Sequence, residues 1–394
     1  MIYLHVPFCG SFCTYCDFYS EICRSRQAFN EYADAVIAEI RDRRKELEMN
    51  MSAQDAVNTL YIGGGTPSVL PLDVLSRIVG AVSQTERLSL VTEQLSLVTE
   101  PVEVTTQTEL FDEFTVEVNP EDIVEKGREY VRGLLALGVN RISMGIQSFN
   151  DDILRWMNRR HDAGNAVKSF HILRESGVRN ISIDLIFGIS QLTDETWKDT
   201  IEKALELSPE HISAYQLSIE EGSALAKMVA DGRYVEASEE QCRRQYDILC
   251  RCLGRSGYHH YEISNFAKPG FEAVHNSAYW RRAPYIGLGP GAHSLTGNVR
   301  SWNSQELPHR SPDGSSATYS RTSETLSPED IRVERIMLSL RTDKGLKATE
   351  LYSLTDSTVV DALLSEGALE RQGASIRIPE DHLFTSDEII RELI

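Results

Sequence analysis

Six short apolar stretches, each followed by a longer and more polar one, fill the first two-thirds of the chain and restrict its fold more than any other feature. They are IYLHVPF (2–8), TLYIGG (59–64), FTVEVNP (114–120), RISMGIQ (141–147), ISIDLIFG (181–188) and HISAYQLS (211–218). Each is mostly apolar and rich in β-branched or aromatic residues, as strands buried on both faces are. Between them, RQAFNEYADAVIAEIRDRRKEL (26–47) places Phe29, Tyr32, Ala33, Val36, Ile37 and Ile40 on one helical face. DDILRWMN (151–158), AVKSFHILRESG (166–177) and ETWKDTIEKALEL (195–207) behave alike, with Asn150 and Thr193 as N-caps and Gly138 and Gly177 as C-caps. Repeated strand–helix–strand requires right-handed crossovers and a parallel sheet. Six units fit either a doubly wound sheet or a barrel lacking two of eight units, and periodicity does not separate them. In both, ligands gather where strands end and loops begin.

Residues 84–110 interrupt the alternation. RLSLVTE (87–93) and QLSLVTE (94–100) are successive copies, followed by the looser PVEVTTQ (101–107). Two copies are too few for a solenoid, so the segment reads as an inserted, exposed loop or hairpin. Residues 303–328 are rich in Ser, Thr and Pro and read as a linker. Helical patterns at 331–342, 346–354 and 357–366, the strand ASIRIP and the final helix SDEIIRELI predict a small winged-helix-like domain. The expected division is 1–220, an extension over 221–302, the linker 303–328 and a C-terminal domain over 329–394.

The net charge of −19 argues against a nucleic-acid backbone as partner. No apolar run is long enough to span a bilayer, and the N-terminus lacks a basic segment followed by an apolar one. The expectation is a cytoplasmic protein without a membrane anchor, its thiols reduced. Seven cysteines, odd in number and unevenly spread, do not form a disulfide framework.

Cys9, Cys13 and Cys16 form C-x3-C-x2-C directly after the first strand. Zinc sites favour four ligands in two pairs, and no second pair follows. Three thiolates on a four-iron cluster leave one iron open to a ligand. His5 reads as a packing or outer residue. Cys242, Cys250 and Cys252 lie on a helix pattern where C-x-C points its thiols apart, which argues against a second cluster. YIGGGTPS (61–68) makes a turn that permits close backbone approach, stiffened by Pro67. Asp184, inside an apolar strand, needs a partner: Arg141, Arg159 or a bound ligand.

Taken in order and spacing, HVPFCGSFCTYCDFYS, YIGGGTPS, VEVNPED, NRISMGIQSFND and DLIFG resemble the radical S-adenosylmethionine (SAM) proteins. Within them they are similar to the oxygen-independent coproporphyrinogen III dehydrogenase-like branch. The resemblance covers residues 1–300. It implies an α/β fold, a partial (β/α)6 radical SAM barrel with an α+β extension and a small C-terminal winged-helix-like domain. It also implies a 4Fe-4S cluster on Cys9, Cys13 and Cys16, with SAM on the open iron. The positions matching the family's SAM contacts are Tyr3, Tyr15, Gly64, Gly65, Thr66, Glu117, Gln147, Arg159 and Asp184, with Ser218 a weaker match.

Two features differ from the dehydrogenases of that branch. Those carry a further cysteine two positions after the third, and a sizeable segment before the motif. Here Phe18 stands at that position, and eight residues precede Cys9. Both features are similar to the HemW-type group, regarded as heme chaperones that deliver heme to acceptor proteins. HNSAYW (275–280) resembles that group's heme-binding motif. The resemblance implies His275 as a heme contact, Tyr279 and Trp280 as flat apolar surface, and Arg281 and Arg282 as partners for the propionates. A packed core histidine is the alternative. The implied partners are heme and its acceptor proteins, and a homodimer is compatible with the resemblance. No catalytic residue is assigned. The competing activities are oxidative decarboxylation of coproporphyrinogen III and another radical SAM oxidoreduction. His259, His260 and His293 carry no assignment.

Overall fold

The computed structural model describes residues 1–51, 56–94, 111–306 and 318–394. Each apolar stretch forms a strand: β1 (Ile2–Val6), β2 (Thr59–Gly64), β3 (Glu113–Val118), β4 (Arg141–Gln147), β5 (Ile181–Phe187) and β6 (His211–Gln216). They pair in parallel and in chain order from β1 to β6. A doubly wound sheet reverses its order at a switch point, so unbroken order identifies barrel winding. The wall does not close. Residues 221–302 lengthen it at both edges and also supply His293–Thr296 and most of Val299–Asn303, two strands of a separate small sheet. β7 (His259–Glu262) and β8 (Asn265–Ala267) add antiparallel strands beyond β6, and β9 (Ile286–Leu288) runs parallel beside β1.

Capping residues fix where the helices begin and end. Asn150 accepts from the amides of Asp152 and Ile153, and Thr193 from that of Thr196. Gly138 and Gly177 take φ of +98° and +101° one residue past the C-caps Leu137 and Ser176. The buried faces of these helices and the outer faces of β1–β6 share one continuous core.

Two expectations are corrected. The helix Leu72–Gln94 takes in the first repeat copy, 87–93, where a loop or hairpin was expected. No glycine or proline lies between 81 and 100, and Arg, Leu, Glu and Gln are good helix formers, so the helix continues. Residues 95–110, with the rest of the repeats, lie outside the described residues. The linker is likewise shorter than expected. Its 307–317 portion is outside the described residues, but Arg321–Thr325 is a strand pairing antiparallel with Val299–Asn303, which pairs with His293–Thr296. Arg300 faces Glu324 directly across that pairing, with the charges 3.8 Å apart.

The C-terminal module has its own core, built on Ile336, Leu340, Leu351, Val360, Leu363, Ile376 and Ile390. Its elements are the helices Pro328–Leu340, Ala348–Leu354, Ser357–Glu366 and Ser386–Leu393 and a three-stranded antiparallel sheet. Ser327 and Asp330 cap the first helix reciprocally. Glu334 docks the module, accepting from Arg282 Nε at 2.7 Å and Arg300 Nη2 at 2.6 Å. Among the described residues, no helix is long and apolar enough to cross a membrane.

Candidate cofactor site

The cysteine loop leaves the end of β1 and folds over the carboxyl ends of the strands. Phe8–Cys9 pairs in parallel with Glu21–Ile22, which closes the loop at its base. Three bonds tie its middle to the segment after β4. Thr14 donates its amide to Met157 O at 3.0 Å and its hydroxyl to Trp156 O at 2.9 Å, and Asn158 Nδ2 donates to Phe12 O at 2.7 Å. A Cβ on Gly10 would lie 2.5 Å from the Arg160 guanidinium carbon, so a larger residue there would make that side chain shift.

Cys9, Cys13 and Cys16 are free thiols, half-buried on the wall of a cavity of ≈ 990 Å³. Cys9 Sγ is 3.4 Å from Thr66 Oγ1, and Arg159 Nη1 donates to Cys13 Sγ at 3.4 Å. Burial pushes the Cys9 thiol up and the Cys16 thiol to about 11. A bound metal centre reverses that preference, because thiolates ligate in the deprotonated form.

The glycine turn stands against this loop. Gly65 N donates to Val6 O at 2.8 Å and Thr66 N to Phe8 O at 2.7 Å. A Cβ on Gly65 would lie 2.7 Å from Phe8 O and would push the turn away from the cysteines. Asn119 bridges the two walls: its Nδ2 donates to Thr66 Oγ1 at 3.2 Å, and its Oδ1 accepts from Arg159 Nη2 at 2.7 Å. Arg159 also donates to Gly145 O at 2.7 Å, while its buried Nε has no hydrogen-bond partner. A charged donor left open beside the thiols suits a ligand carboxylate.

Two acids complete the cavity. Glu117 accepts from Tyr61 Oη at 2.7 Å and Gly64 N at 3.2 Å. Burial, with the Asp184 charge adding to it, raises its carboxyl to about 7. Burial also raises Asp184, whose partners are serines: Ser143 Oγ lies 3.3 Å from both of its oxygens, and Ser213 bonds it as well. Neither Arg141 nor Arg159 forms the direct ion pair weighed from sequence. Gln147 holds φ of +67° at a bulge where β4 slips register against β5, a conformation found where side chains are re-aimed at sites.

Of the residues named from sequence, Cys9, Cys13, Tyr15, Cys16, Gly64, Gly65, Thr66, Glu117, Gln147, Arg159, Asp184 and Ser218 line this cavity. Tyr3 does not. It bonds His5 Nδ1 at 3.1 Å and packs on Tyr61, which does line it. His275 also lies off the wall, 1% exposed, with Nδ1 2.8 Å from Thr59 Oγ1 and Nε2 3.1 Å from Tyr279 Oη. Burial holds its imidazole down at about 3. Its neighbour Asn276 reaches the cavity, whereas Arg282 is bound to Glu334 and Arg281 is exposed. Sequence reasoning passed over Tyr61, Asn119, Ser143, Ser213 and Tyr215, all cavity-lining. The available signal was polar residues at alternate positions of otherwise apolar strands, as in Arg141–Ser143–Gly145–Gln147.

The Glu117 carboxyl gives a stability test. In the unfolded chain it titrates near 4.5; in the fold, near 7. Between those values the unfolded chain ionises while the fold keeps its proton, so the wild type loses stability as pH rises. Glu117→Gln escapes this. Urea midpoints of cluster-free protein should diverge in favour of the variant from pH 4.5 to pH 7 and coincide below that window. Parallel pH profiles would contradict the assignment.

A parallel barrel wall in chain order, with three thiols lining a polar cavity at its carboxyl end, defines a class of cofactor-binding barrel proteins. The family model described as Radical SAM superfamily matches residues 3–204. The heme chaperone HemW of Lactococcus lactis is 33% identical over 87% of this chain and 82% of its own length. That of Bacillus subtilis is 34% identical, over 87% and 84%. The solved structure of coproporphyrinogen III oxidase (HemN) from Escherichia coli, 22% identical, superposes with a TM-score of 0.77 over 99% of this chain and 89% of that one. The chain belongs to the radical SAM superfamily and, within it, to the HemW family. Membership in the superfamily implies a 4Fe-4S cluster and SAM.

Proposed function

We propose that this protein is a heme chaperone, which binds heme and passes it to acceptor proteins, and that Cys9, Cys13 and Cys16 carry its 4Fe-4S cluster. The observation that carries the reading is the identity of 33–34% to proteins named heme chaperone HemW over more than four-fifths of both chains. Phe18 supports it. The position two after Cys16 holds a phenyl ring, 69% exposed on the cavity rim, and offers no thiol.

When bound, the cluster supplies a one-electron reductant to SAM. The chain's own residues receive SAM. Arg159 Nε would take its carboxylate, Glu117 and Asp184 would accept from its amino and hydroxyl groups, and the backbone at Gly64, Gly65 and Thr66 would hold its methionyl end. Tyr15, Gln147 and Ser218 fill the remaining wall, and Tyr3 acts through Tyr61. Phe12 and Phe18, both exposed on the rim, offer apolar contact to a flat macrocycle.

His275 contacts heme only if the helix Val274–Trp280 releases its ring from Thr59 and Tyr279, since both nitrogens are engaged. The test is an anaerobic heme titration of cluster-loaded protein, followed by transfer to an apo-hemoprotein and an assay with SAM, reductant and coproporphyrinogen III. Expected are saturable heme binding, transfer, and no protoporphyrinogen. His275→Ala should weaken heme binding by at least tenfold; unchanged binding removes His275 from the heme site. Porphyrinogen turnover would overturn the chaperone reading in favour of a dehydrogenase.

A further inference from the structure

Away from the cysteine triplet, three ligand-type side chains from distant parts of the chain converge. Cys250 lies on the helix Glu239–Arg255, His260 on β7, and Glu380 on the turn Glu380–Thr385 of the C-terminal module. One donor atom from each falls within 4.8 Å of the other two. None of the three lines the cofactor cavity. We propose that Cys250, His260 and Glu380 form a second metal site, for a zinc-type divalent cation, that fastens the C-terminal module to the barrel wall.

The donor set fits. Thiolate, imidazole and carboxylate together suit zinc, whose bonds of about 2.0–2.3 Å place tetrahedral ligands about 3.3–3.7 Å apart. His260 Nδ1 and Glu380 Oε1 are already 3.2 Å apart. Closing the rest asks for small side-chain movements only.

The imidazole is prepared for ligation. Its ring stacks on Phe266, with centroids 4.1 Å apart and planes 14° apart. Its other nitrogen, Nε2, faces Ile263 O at 3.4 Å and Tyr246 Oη at 3.3 Å. Tyr246 Oη in turn donates to Ile263 O at 2.9 Å. A proton on Nε2 leaves Nδ1 as a lone pair aimed at Glu380, the arrangement in which an outer contact sets the tautomer of a metal-bound histidine.

The surroundings favour a cation. The carboxylates of Glu380 and Asp247 both set negative charge against Cys250. Of the basic groups near Glu380, Arg377 is bonded to Glu370 at 2.7 Å and His259 to Asp343 at 3.1 Å. Glu380 is 61% exposed, so a water has access to the fourth position. Phe384 packs on Tyr246 beside the site, so the metal would lie where the module already touches the wall.

The test uses cluster-loaded protein, whose triplet thiols are occupied, titrated with zinc against a chromophoric chelator and separately with cobalt(II). The expected result is one zinc per chain. Cobalt should give a thiolate charge-transfer band in the near ultraviolet. Cys250→Ser should remove the band and weaken zinc by at least a hundredfold. Glu380→Gln, an exposed change that spares the fold, should weaken zinc by about tenfold and keep the band. Zinc should raise the melting temperature of the wild type and not of Cys250→Ser. Absence of a tight zinc, absence of the cobalt band, or wild-type affinity in both variants would overturn the site and leave a plain His260–Glu380 hydrogen bond.

Discussion

Cys13→Ser, reconstituted anaerobically with iron and sulfide, is expected to hold no cluster: its iron content and visible absorbance should fall to background. A four-iron cluster open at one corner hangs on three thiolates, and the loss of one leaves a second iron without a protein ligand. The fold should survive. The loop is held by backbone and side-chain bonds at Thr14, Asn158 and the Phe8–Cys9 pairing, none of which uses the Cys13 thiol. Arg159 keeps its bonds to Asn119 and Gly145 when that thiol is gone. Far-ultraviolet circular dichroism should therefore match the wild type. Cys9→Ser and Cys16→Ser should behave alike, and Cys252→Ser, on a helix remote from the triplet, should keep the full cluster. A cluster retained by Cys13→Ser would mean that another thiol serves, and the triplet assignment would fail.

The triplet was legible because its information is local: three thiols within eight residues, set after a strand. The six strands were legible for a similar reason. A strand covered on both faces must be apolar along its length, and that needs no knowledge of its neighbours. Strand order was not legible, since periodicity says nothing about which strand lies beside which. Nor were β8 and β9 legible. Each has three residues, Asn265–Ala267 and Ile286–Leu288, too few for a period to show. Within the site, Asn119, Ser143 and Ser213 join only once the inward face of each strand is known. His275 shows the limit most plainly. HNSAYW marks a histidine of interest, but Thr59, which takes its Nδ1, lies 216 residues away in sequence. The helix running through the first repeat copy was missed because a repeat invites a loop reading, although its composition favours a helix.

The largest expected effect on stability belongs to Glu39, in the helix Arg26–Asp42 behind β1. Its carboxylate is 2% exposed and fully engaged: Oε1 accepts from Arg43 Nη1 at 2.9 Å and Asn303 Nδ2 at 2.7 Å, and Oε2 from Gly289 N at 2.8 Å. Arg43 is as deeply buried and donates onward to Gly287 O at 2.6 Å and Ser294 Oγ at 3.0 Å. This pair thus clamps the first helix to β9 and the strand Val299–Asn303, at the sheet edge beside β1. Gly289 must be glycine there: its φ is +88°, and a Cβ would lie 2.5 Å from His5 O. Burial raises the Glu39 carboxyl, and the donors of Gly289, Arg43 and Asn303 oppose that rise. Glu39→Ala leaves the Gly289 amide without its acceptor, while Arg43 keeps the Glu46 carboxylate at 2.8 Å and Asn303 Nδ2 keeps Gly289 O at 2.8 Å. A buried donor left without its acceptor costs about 1–3 kcal/mol, and the other hydrogen bonds lost with the carboxylate add to that. The urea midpoint of the barrel should drop accordingly. Replacing both residues by leucine should recover part of that loss, since a buried Arg43 then no longer needs partners and Glu46 keeps Arg321 at 2.8 Å. Asp152→Ala, breaking an exposed pair with Arg155 at 2.6 Å, should cost about 0–1 kcal/mol. A Glu39→Ala midpoint no lower than that of Asp152→Ala would show that the clamp does not hold β9 to the barrel. The edge beside β1, which feeds the cysteine loop, would then depend on strand pairing alone.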